Sequence, residues 1–144
     1  MEHEEYMRQA LELARLAMAE GEVPVGCVIV RDGAVVGRGR NRRETAQTAL
    51  GHAELEAIAQ ACRTLGGWRL AGCALYVTLE PCPMCAGAIV NARIPAVYYG
   101  AKDDKAGCCG SVLNLFEERF NHHPRIYGRV LEAECAALLQ EFFQ

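Results

Sequence analysis

The sequence lacks the features of membrane-spanning and exported proteins. No apolar run approaches the about 20 residues that a helix needs to cross a bilayer. Residues 1–5 are mostly acidic, whereas a signal peptide begins with basic residues followed by an apolar segment. No stretch rich in proline, glycine or serine divides the chain. We therefore expect a cytoplasmic protein whose residues 1–144 form a single domain.

Positive charge and serine are also scarce. The net charge is −3, so the chain as a whole does not attract nucleic acid, and any such binding must use a local patch. Ser111 is the only serine, and no nucleophile motif surrounds it, which disfavours Ser–His–Asp hydrolysis. By contrast, a hydrophobic content of 51% indicates a globular chain that builds one sizeable core.

Eight cysteines are the most unusual part of the composition. Because an unexported protein stays in a reducing compartment, metal binding or burial accounts for them better than disulfides. Four lie in apolar stretches and are predicted to be small buried residues, namely Cys27, Cys62, Cys73 and Cys135. Cys108 and Cys109 adjoin in a glycine-rich loop without nearby histidines, which leaves a second metal site open but disfavours it.

The apolar spacing predicts a hairpin followed by alternating strands and helices. Helices are expected over residues 5–20, from His52 onward, from just after Pro81 to about residue 92, and over residues 132–143. Strands are expected at 27–30, 34–36, 73–79 and 97–99, the last ended by Gly100, while 126–131 is either a short strand or a lead-in to the final helix. This order predicts an α/β fold, with a mixed sheet covered by helices on both faces.

A divided pattern of metal-ligand residues is the most informative motif. His52 and Glu54 form H-x-E, and Cys82 and Cys85 form P-C-x-x-C thirty residues later. Alone, the cysteines are equally typical of a redox dithiol, and a lone histidine is more often structural. Three ligands together leave one zinc position open for water, and a neighbouring carboxylate can move that water's protons. The combination is the signature of zinc-dependent base deamination.

The spacing also predicts where the site lies. In a helix interior His52 and Glu54 would point in nearly opposite directions, but at a first turn both can converge beyond the helix end. Cys82 and Cys85 share one face where a helix starts. We therefore expect two helix N-termini to meet at the metal, and their partial positive charge favours thiolate ligands.

Residues 78–88, TLEPCPMCAGA, resemble the bacterial tRNA-specific adenosine deaminases, which edit the wobble adenosine of an anticodon to inosine. The resemblance covers nearly the whole chain. It extends to residues 22–26, 41–42, 52–54, 100–103, 107–111, 121–122 and 141–143. It implies a cytidine-deaminase-like three-layer α/β/α sandwich with a five-stranded mixed sheet, one catalytic Zn2+ per subunit and a homodimer that binds a tRNA anticodon stem-loop.

The resemblance also implies a role for each site residue. His52, Cys82 and Cys85 hold the zinc, and Glu54 carries protons between the water, the adenine ring and the departing ammonia. The implied substrate contacts are Val23, Asn41, Ala53 and Asp103. From the residues alone, Asn41 is equally a turn residue, Val23 core and Asp103 a cap.

The arginines around Asn41 have two interpretations. Arg38, Arg40, Arg42 and Arg43 are suited to phosphate contacts beside the base pocket, or they form a solvated loop partly offset by Glu44. Phe142 and Phe143 are predicted to be core residues rather than a base-stacking surface.

Three functional hypotheses follow. The first is deamination of the tRNA wobble adenosine. The second is deamination of a free base or nucleoside of the guanine, cytosine or cytidine type at the same zinc, which the acidic charge balance favours. The third is a non-catalytic zinc-binding module, which Glu54 argues against, because a purely structural site needs a fourth ligand more than a neighbouring acid.

Overall fold

A five-stranded mixed sheet lies at the centre of the fold in the computed structural model, which describes residues 2–144. In chain order the elements are α1 (Glu2–Ala19), β1 (Gly26–Arg31), β2 (Ala34–Arg40), α2 (Ala53–Leu65), β3 (Cys73–Leu79), α3 (Pro83–Asn91), β4 (Ala96–Ala101), a 3-10 turn (Leu115–Glu117), β5 (Arg125–Tyr127) and α4 (Glu132–Phe143).

The strands are arranged in the order β2-β1-β3-β4-β5. Strand β1 is antiparallel to both of its neighbours, whereas β3, β4 and β5 run parallel to one another. Helices α1 and α4 cover one face of the sheet, and α2 and α3 cover the other. The predicted three-layer α/β/α sandwich with a five-stranded mixed sheet is therefore confirmed.

Helix α1 and the β1–β2 hairpin follow directly from local sequence. Met7, Leu11 and Ala14 of α1 repeat at helical spacing and are buried against the sheet. The hairpin turns through Asp32 and Gly33, whose φ angles of 50° and 79° are those of a tight turn that matches the twist of the strands.

Helix α2 lies unusually close to β2. A side chain at Gly37 or Gly39 would collide with the backbone of α2, so glycine is needed at both positions for this approach. Side chains of α2 then reach the outer border of β2. Gln60 Oε1 accepts a hydrogen bond of 2.6 Å from the Arg38 backbone N–H, and Glu56 Oε1 accepts one of 3.3 Å from that of Arg40. These contacts fix the start of α2 relative to the sheet.

The structure differs from the sequence-based expectations in four places. Helix α1 begins at Glu2 instead of residue 5, and β2 continues to Arg40. Strand β4 passes through Gly100 instead of ending there, because α4 lies so close that a side chain at Gly100 would strike Cys135. Cys62 is only partly buried, and its Sγ lies 3.9 Å from the Trp68 carbonyl oxygen, while the other three cysteines predicted to be buried are so.

Residues 126–131 were expected to form either a short strand or a lead-in to the final helix. The structure has both, since β5 ends at Tyr127 and the residues after it lead into α4. Within residues 2–144, no helix combines the length and the apolar character that crossing a membrane requires.

Candidate metal centre and active site

Three predicted ligands converge where α2 and α3 begin. His52 is the N-cap residue of α2, Cys82 is the N-cap residue of α3, and Cys85 lies in the first turn of α3. Neither cap side chain bonds to the backbone of its own helix, so both are free to bind a ligand. In the part of the chain that the structure describes, these three residues are the one group of His, Cys, Asp or Glu side chains close enough to hold a metal ion.

The donor atoms have the spacing of a tetrahedral zinc site. His52 Nδ1 lies 3.6 Å from Cys82 Sγ and 3.5 Å from Cys85 Sγ. Zinc bonds of about 2.3 Å to sulfur and about 2.0–2.1 Å to nitrogen, at a tetrahedral angle, would place these atoms about 3.6 Å apart. The three residues therefore fit zinc in donor chemistry and in spacing.

The local electrostatics favour a thiolate at Cys82. A hydrogen bond from the Cys85 thiol, assisted by His52, lowers the pKa of Cys82 to about 4, and the same bond with burial raises the pKa of Cys85. The bond to Cys82 also raises the pKa of His52. A divalent cation that binds there would displace the protons of these groups.

Glu54 lies in the first turn of α2, beside the ligands. It is 4% exposed, and burial away from water raises the pKa of its carboxyl group to about 7. Its own backbone N–H and the nearby His52 oppose this shift, while the Cys82 thiolate adds to it. A carboxyl group that titrates near neutrality can both accept and donate a proton, as a general acid–base requires.

A cavity of about 230 Å³ opens beside these groups. All of the predicted site residues except the buried Cys85 line it, namely Val23, Asn41, His52, Ala53, Glu54, Cys82 and Asp103. The carboxyl end of β3 contributes Leu79 and Glu80, and two loops close the sides. Ligand sites commonly form at this end of parallel strands.

Asn41 and Asp103 both have structural hydrogen bonds. Asn41 Nδ2 donates to the Val23 carbonyl oxygen over 3.2 Å, and its Oδ1 accepts a 3.1 Å bond from the Arg43 N–H. Asp103 Oδ1 accepts bonds of 3.0 Å and 3.2 Å from the backbone N–H groups of Lys105 and Ala106. These residues therefore shape the two loops at the cavity, whatever else they contact.

The four arginines divide into separate environments. Arg40 donates from Nε and Nη2 to the Glu20 carboxylate, over 2.9 Å and 3.0 Å. Arg42 Nη1 lies 3.6 Å from Glu56 Oε2. Arg43 lines the cavity, and Arg38 is exposed on β2. Arg43 is therefore the arginine best placed to meet a ligand.

Two buried carboxylates were missed by the sequence analysis. Glu22 is 1% exposed and Glu80 is 2% exposed, and both accept hydrogen bonds from the loops beside the cavity. Their only sequence signal is position, because Glu22 immediately precedes the predicted substrate contact Val23 and Glu80 lies two residues before the predicted ligand Cys82.

Comparison with known families gives one consistent group of relatives. The profile of the MafB19-like deaminase family matches residues 1–144. A tRNA-specific adenosine deaminase of Bacillus subtilis strain 168 is 51% identical over 140 residues, which cover 96% of this chain and 87% of that protein. The protein of the same name from Agrobacterium fabrum strain C58 is 45% identical over 144 residues, covering 99% and 95%.

Solved structures agree with these sequence relatives. A structure from a study of A-to-I editing by tRNA:A34 deaminases at the wobble position of transfer RNA superposes with a TM-score of 0.90. It is 44% identical, over 93% of this chain and 98% of that one. A guanine deaminase from Bacillus subtilis is also 44% identical, but with a TM-score of 0.67 over 71% of this chain and 66% of that one.

Proposed function

The chain belongs to the MafB19-like deaminases and, among them, to the tRNA-specific adenosine deaminases, and from this premise we propose that it converts the wobble adenosine of a tRNA anticodon to inosine. It is a hydrolase that acts on a carbon–nitrogen bond, and it has the cytidine-deaminase-like fold. The observation that carries the proposal is that Glu54 and the three candidate ligands lie together at one cavity.

One zinc ion per chain would be held by His52, Cys82 and Cys85. Their donor chemistry and spacing support this assignment. When bound, zinc would act as a Lewis acid and lower the pKa of water toward neutrality. It would also oppose the raised pKa of the neighbouring Glu54.

Glu54 is the proton carrier in this proposal. Its carboxylate accepts a proton from the water that adds to C6 of adenine and donates that proton to N1. It then transfers the second proton of the same water to the amino group, which leaves as ammonia as the C6 carbonyl forms. Adenosine and water become inosine and ammonia without a net change in protons. Glu54 lines the cavity beside the three candidate ligands, where one carboxyl group serves both transfers in this proposal.

The cavity walls would orient the nucleotide. Val23 offers an apolar surface to the base, and Asn41 keeps one Nδ2 hydrogen for a ligand after its bond to the Val23 carbonyl. Ala53 begins α2, where backbone N–H groups have no partner within the helix. Asp103 lies on the loop at the other side and would contact the neighbouring part of the RNA strand.

Deamination of a free base is the second candidate function. The similarity to a guanine deaminase favours it specifically, because that protein shares 44% identity over 71% of this chain. The same Glu54 and the same three ligands would serve either substrate, so the site chemistry does not discriminate between them.

A comparison of substrates tests the two functions. Purified protein is given an anticodon stem-loop with adenosine at the wobble position, and separately free adenosine, cytidine, cytosine and guanine, while ammonia release is measured. We expect rapid release from the stem-loop and little from the free compounds. A stem-loop with guanosine at the wobble position is the matched control. Fast release from free guanine with an inert stem-loop would establish the second function.

Elemental analysis tests the metal assignment. We expect one zinc per chain in the wild type and a large loss of zinc in Cys82→Ser and Cys85→Ser. Cys62→Ser removes a partly buried thiol outside the site and should retain the metal. Full zinc content in both ligand variants would contradict the assignment.

A homodimer is also part of the proposal. Leu55, Met84, Gly87, Ala88 and Phe120 line an apolar groove on the outer side of α2 and α3. Phe120 is 49% exposed, so the groove leaves a large aromatic side chain available for contact with a partner. A second copy of the chain, presenting the same groove, is the occupant proposed. Action on tRNA also supports the cytoplasm as the working compartment.

Gly87 provides a clean test of that interface. A side chain added there meets no atom within 4 Å, so Gly87→Glu should not disturb the fold of one chain. It would, however, place a charge in the middle of the groove. Light scattering after size-exclusion chromatography should show a dimer for the wild type and a monomer for the variant. A dimeric variant would place the interface on another face.

A further inference from the structure

Two buried glutamates beside the cavity have no role in the proton transfers described above. Glu22 immediately precedes the lining residue Val23, and Glu80 itself lines the cavity directly after Leu79, the last residue of β3. An ionised carboxylate has only hydrogen-bond acceptors, and burying it is costly unless donors surround it. The donors around both glutamates come from the two loops that flank the cavity.

Glu80 binds the loop formed by residues 103–111 through both of its carboxylate oxygens. Oε1 accepts hydrogen bonds from the Asp103 N–H over 3.1 Å and from Ser111 Oγ over 2.5 Å. Oε2 accepts bonds of 2.9 Å from the Cys109 N–H and 3.1 Å from the Ser111 N–H. All four partners are donors. Glutamine at position 80 would replace one accepting oxygen with an NH₂ group, which would face the N–H donors of the loop without being able to accept from them.

The loop also packs tightly against the Glu80 side chain. A side chain at Gly107 would collide with the Glu80 carboxylate and with the Asp103 carbonyl oxygen. The Cys108 N–H also donates a 2.8 Å bond to the Pro81 carbonyl oxygen, next to the proposed ligand Cys82. The loop is thereby attached to the chain just before α3.

Glu22 performs the same task on the other loop. Its carboxylate accepts bonds from the Thr45 N–H over 2.6 Å, from the Thr45 hydroxyl over 2.5 Å and from the Glu44 N–H over 3.2 Å. This loop begins at Asn41 and contains Arg43, which both line the cavity. As at Glu80, a buried carboxylate accepts hydrogen bonds from backbone N–H groups and from one hydroxyl group.

We propose that Glu22 and Glu80 are positioning residues that fix the two loops flanking the cavity and so set how an RNA strand fits between Asn41 and Asp103. The inference rests on the proposed function for the identity of the substrate. Both carboxylates are occupied by donors from the loops, and neither takes part in the proposed proton transfers, so their effect is expected mainly in substrate binding. The metal ligands and Glu54 are held by α2 and α3 and should be little affected.

Hydroxyl variants test the Glu22 contact with the smallest change. Thr45→Val removes the hydroxyl that bonds to Glu22 and keeps the shape of the side chain, whereas Thr45→Ser restores the hydroxyl. We expect Thr45→Val to raise the KM for the stem-loop about threefold to tenfold, in line with loss of one hydrogen bond of ordinary strength. The kcat should change less, and Thr45→Ser should return the KM toward the wild-type value.

Carboxylate variants test both residues more strongly. Glu80→Gln and Glu22→Gln should raise the KM by about tenfold or more while zinc content stays at the wild-type level. Ser111→Ala is the milder variant for Glu80 in case Glu80→Gln does not fold. An unchanged KM in Thr45→Val, Ser111→Ala and the glutamine variants that fold would overturn the inference.

Amide hydrogen exchange separates this inference from the proposed function. Glu80→Gln should accelerate exchange at Cys109 and Ser111 but not at Thr45, and Glu22→Gln should do the reverse. If exchange at these amides is the same in both variants as in the wild type, the inference is overturned without reference to any substrate. A wild type that ignores the stem-loop would overturn the proposed function instead, and the KM for the base it does deaminate would then replace the RNA measurement.

Discussion

Glu54 combines burial with a position beside three metal-ligand side chains, and this combination makes its removal informative. We expect Glu54→Ala to reduce turnover by at least about 10²–10⁴-fold, because one carboxylate serves several proton transfers. Zinc content and melting temperature should stay near wild type. Ammonia release, elemental analysis and thermal unfolding provide the measurements.

The control is Glu12→Ala, which removes an exposed carboxylate on α1. Near-normal turnover in Glu54→Ala would exclude the proton-carrier role and would revive the hypothesis of a non-catalytic metal module. Loss of zinc in the same variant would instead make Glu54 a ligand or a structural residue.

Glu22 links stability to pH. The Thr45 hydroxyl and the backbone N–H groups of Glu44 and Thr45 hold the pKa of Glu22 below its usual range, against the opposing effect of burial. A carboxylate whose pKa is lowered on folding stabilises the protein above its unfolded pKa of about 4.3, and this stabilisation is lost as pH falls through the folded value.

The wild type should therefore exceed Glu22→Gln in melting temperature most clearly above about pH 5, and the difference should shrink as the pH falls below the unfolded pKa of about 4.3. Glu12→Gln controls for the loss of one negative charge. A difference that stays constant over this range would show that the loop does not depend on the ionised form.

Residue spacing predicted which site residues lie together better than it predicted their surroundings. The H-x-E and P-C-x-x-C spacing anticipated that His52, Cys82 and Glu54 would meet, because both motifs open helices. The ion pairs of Arg40 with Glu20 and of Arg42 with Glu56 were not predicted, since each joins separate elements whose proximity depends on packing.

At the scale of elements, the site depends on how closely α2 approaches β2. A side chain at Gly39 would collide with the Ala53 carbonyl oxygen and lie 2.7 Å from the Ala57 N, one turn after His52. We expect Gly39→Ala to cost about 1–3 kcal/mol in the free energy of unfolding through overpacking. Because the start of α2 must shift, zinc content and turnover should also fall.

Gly67→Ala is the matched control, since a side chain there meets no atom within 4 Å. Denaturant unfolding and elemental analysis measure the two effects. If Gly39→Ala loses stability yet keeps full zinc content and turnover, the β2 contact supports the fold without positioning the site.

Element type and order were predictable because apolar periodicity and turn residues are local signals. The hairpin through Asp32 and Gly33 is a clear example, as is the strand at Cys73–Leu79. Gly100 misled the prediction, because a glycine that ends a strand and a glycine that admits a neighbouring helix have the same sequence appearance. Only the approach of Cys135 on α4 distinguishes the two.

For the whole molecule, a net charge of −3 must be reconciled with a proposed RNA substrate. Arg43 lines the cavity, whereas Arg40 and Arg42 are paired with glutamates. We expect Arg43→Ala to weaken stem-loop binding. The plot of log affinity against log salt should also become less steep by about 0.7–0.9, which corresponds to the loss of one phosphate contact. Arg40→Ala, the paired control, should lower the slope less.

Binding titrations over a range of salt concentrations measure both slopes. The triple variant of Arg40, Arg42 and Arg43 should resemble Arg43→Ala more than the sum of three lost contacts. Deamination of a free nucleoside, where measurable, should barely change. Full affinity and an unchanged slope in the triple variant would place the RNA path elsewhere on the protein.

The contacts of Gln60 and Glu56 with β2 have a consequence for how this protein meets other chains. A sheet border with vacant backbone groups is a template for strand addition and for fibrillar aggregation. Here the α2 side chains already occupy the Arg38 and Arg40 N–H groups, and at the opposite border β5 is only 3 residues long. Both borders are therefore poor sites for peptide strand addition, and we expect concentrated solutions to resist amyloid formation.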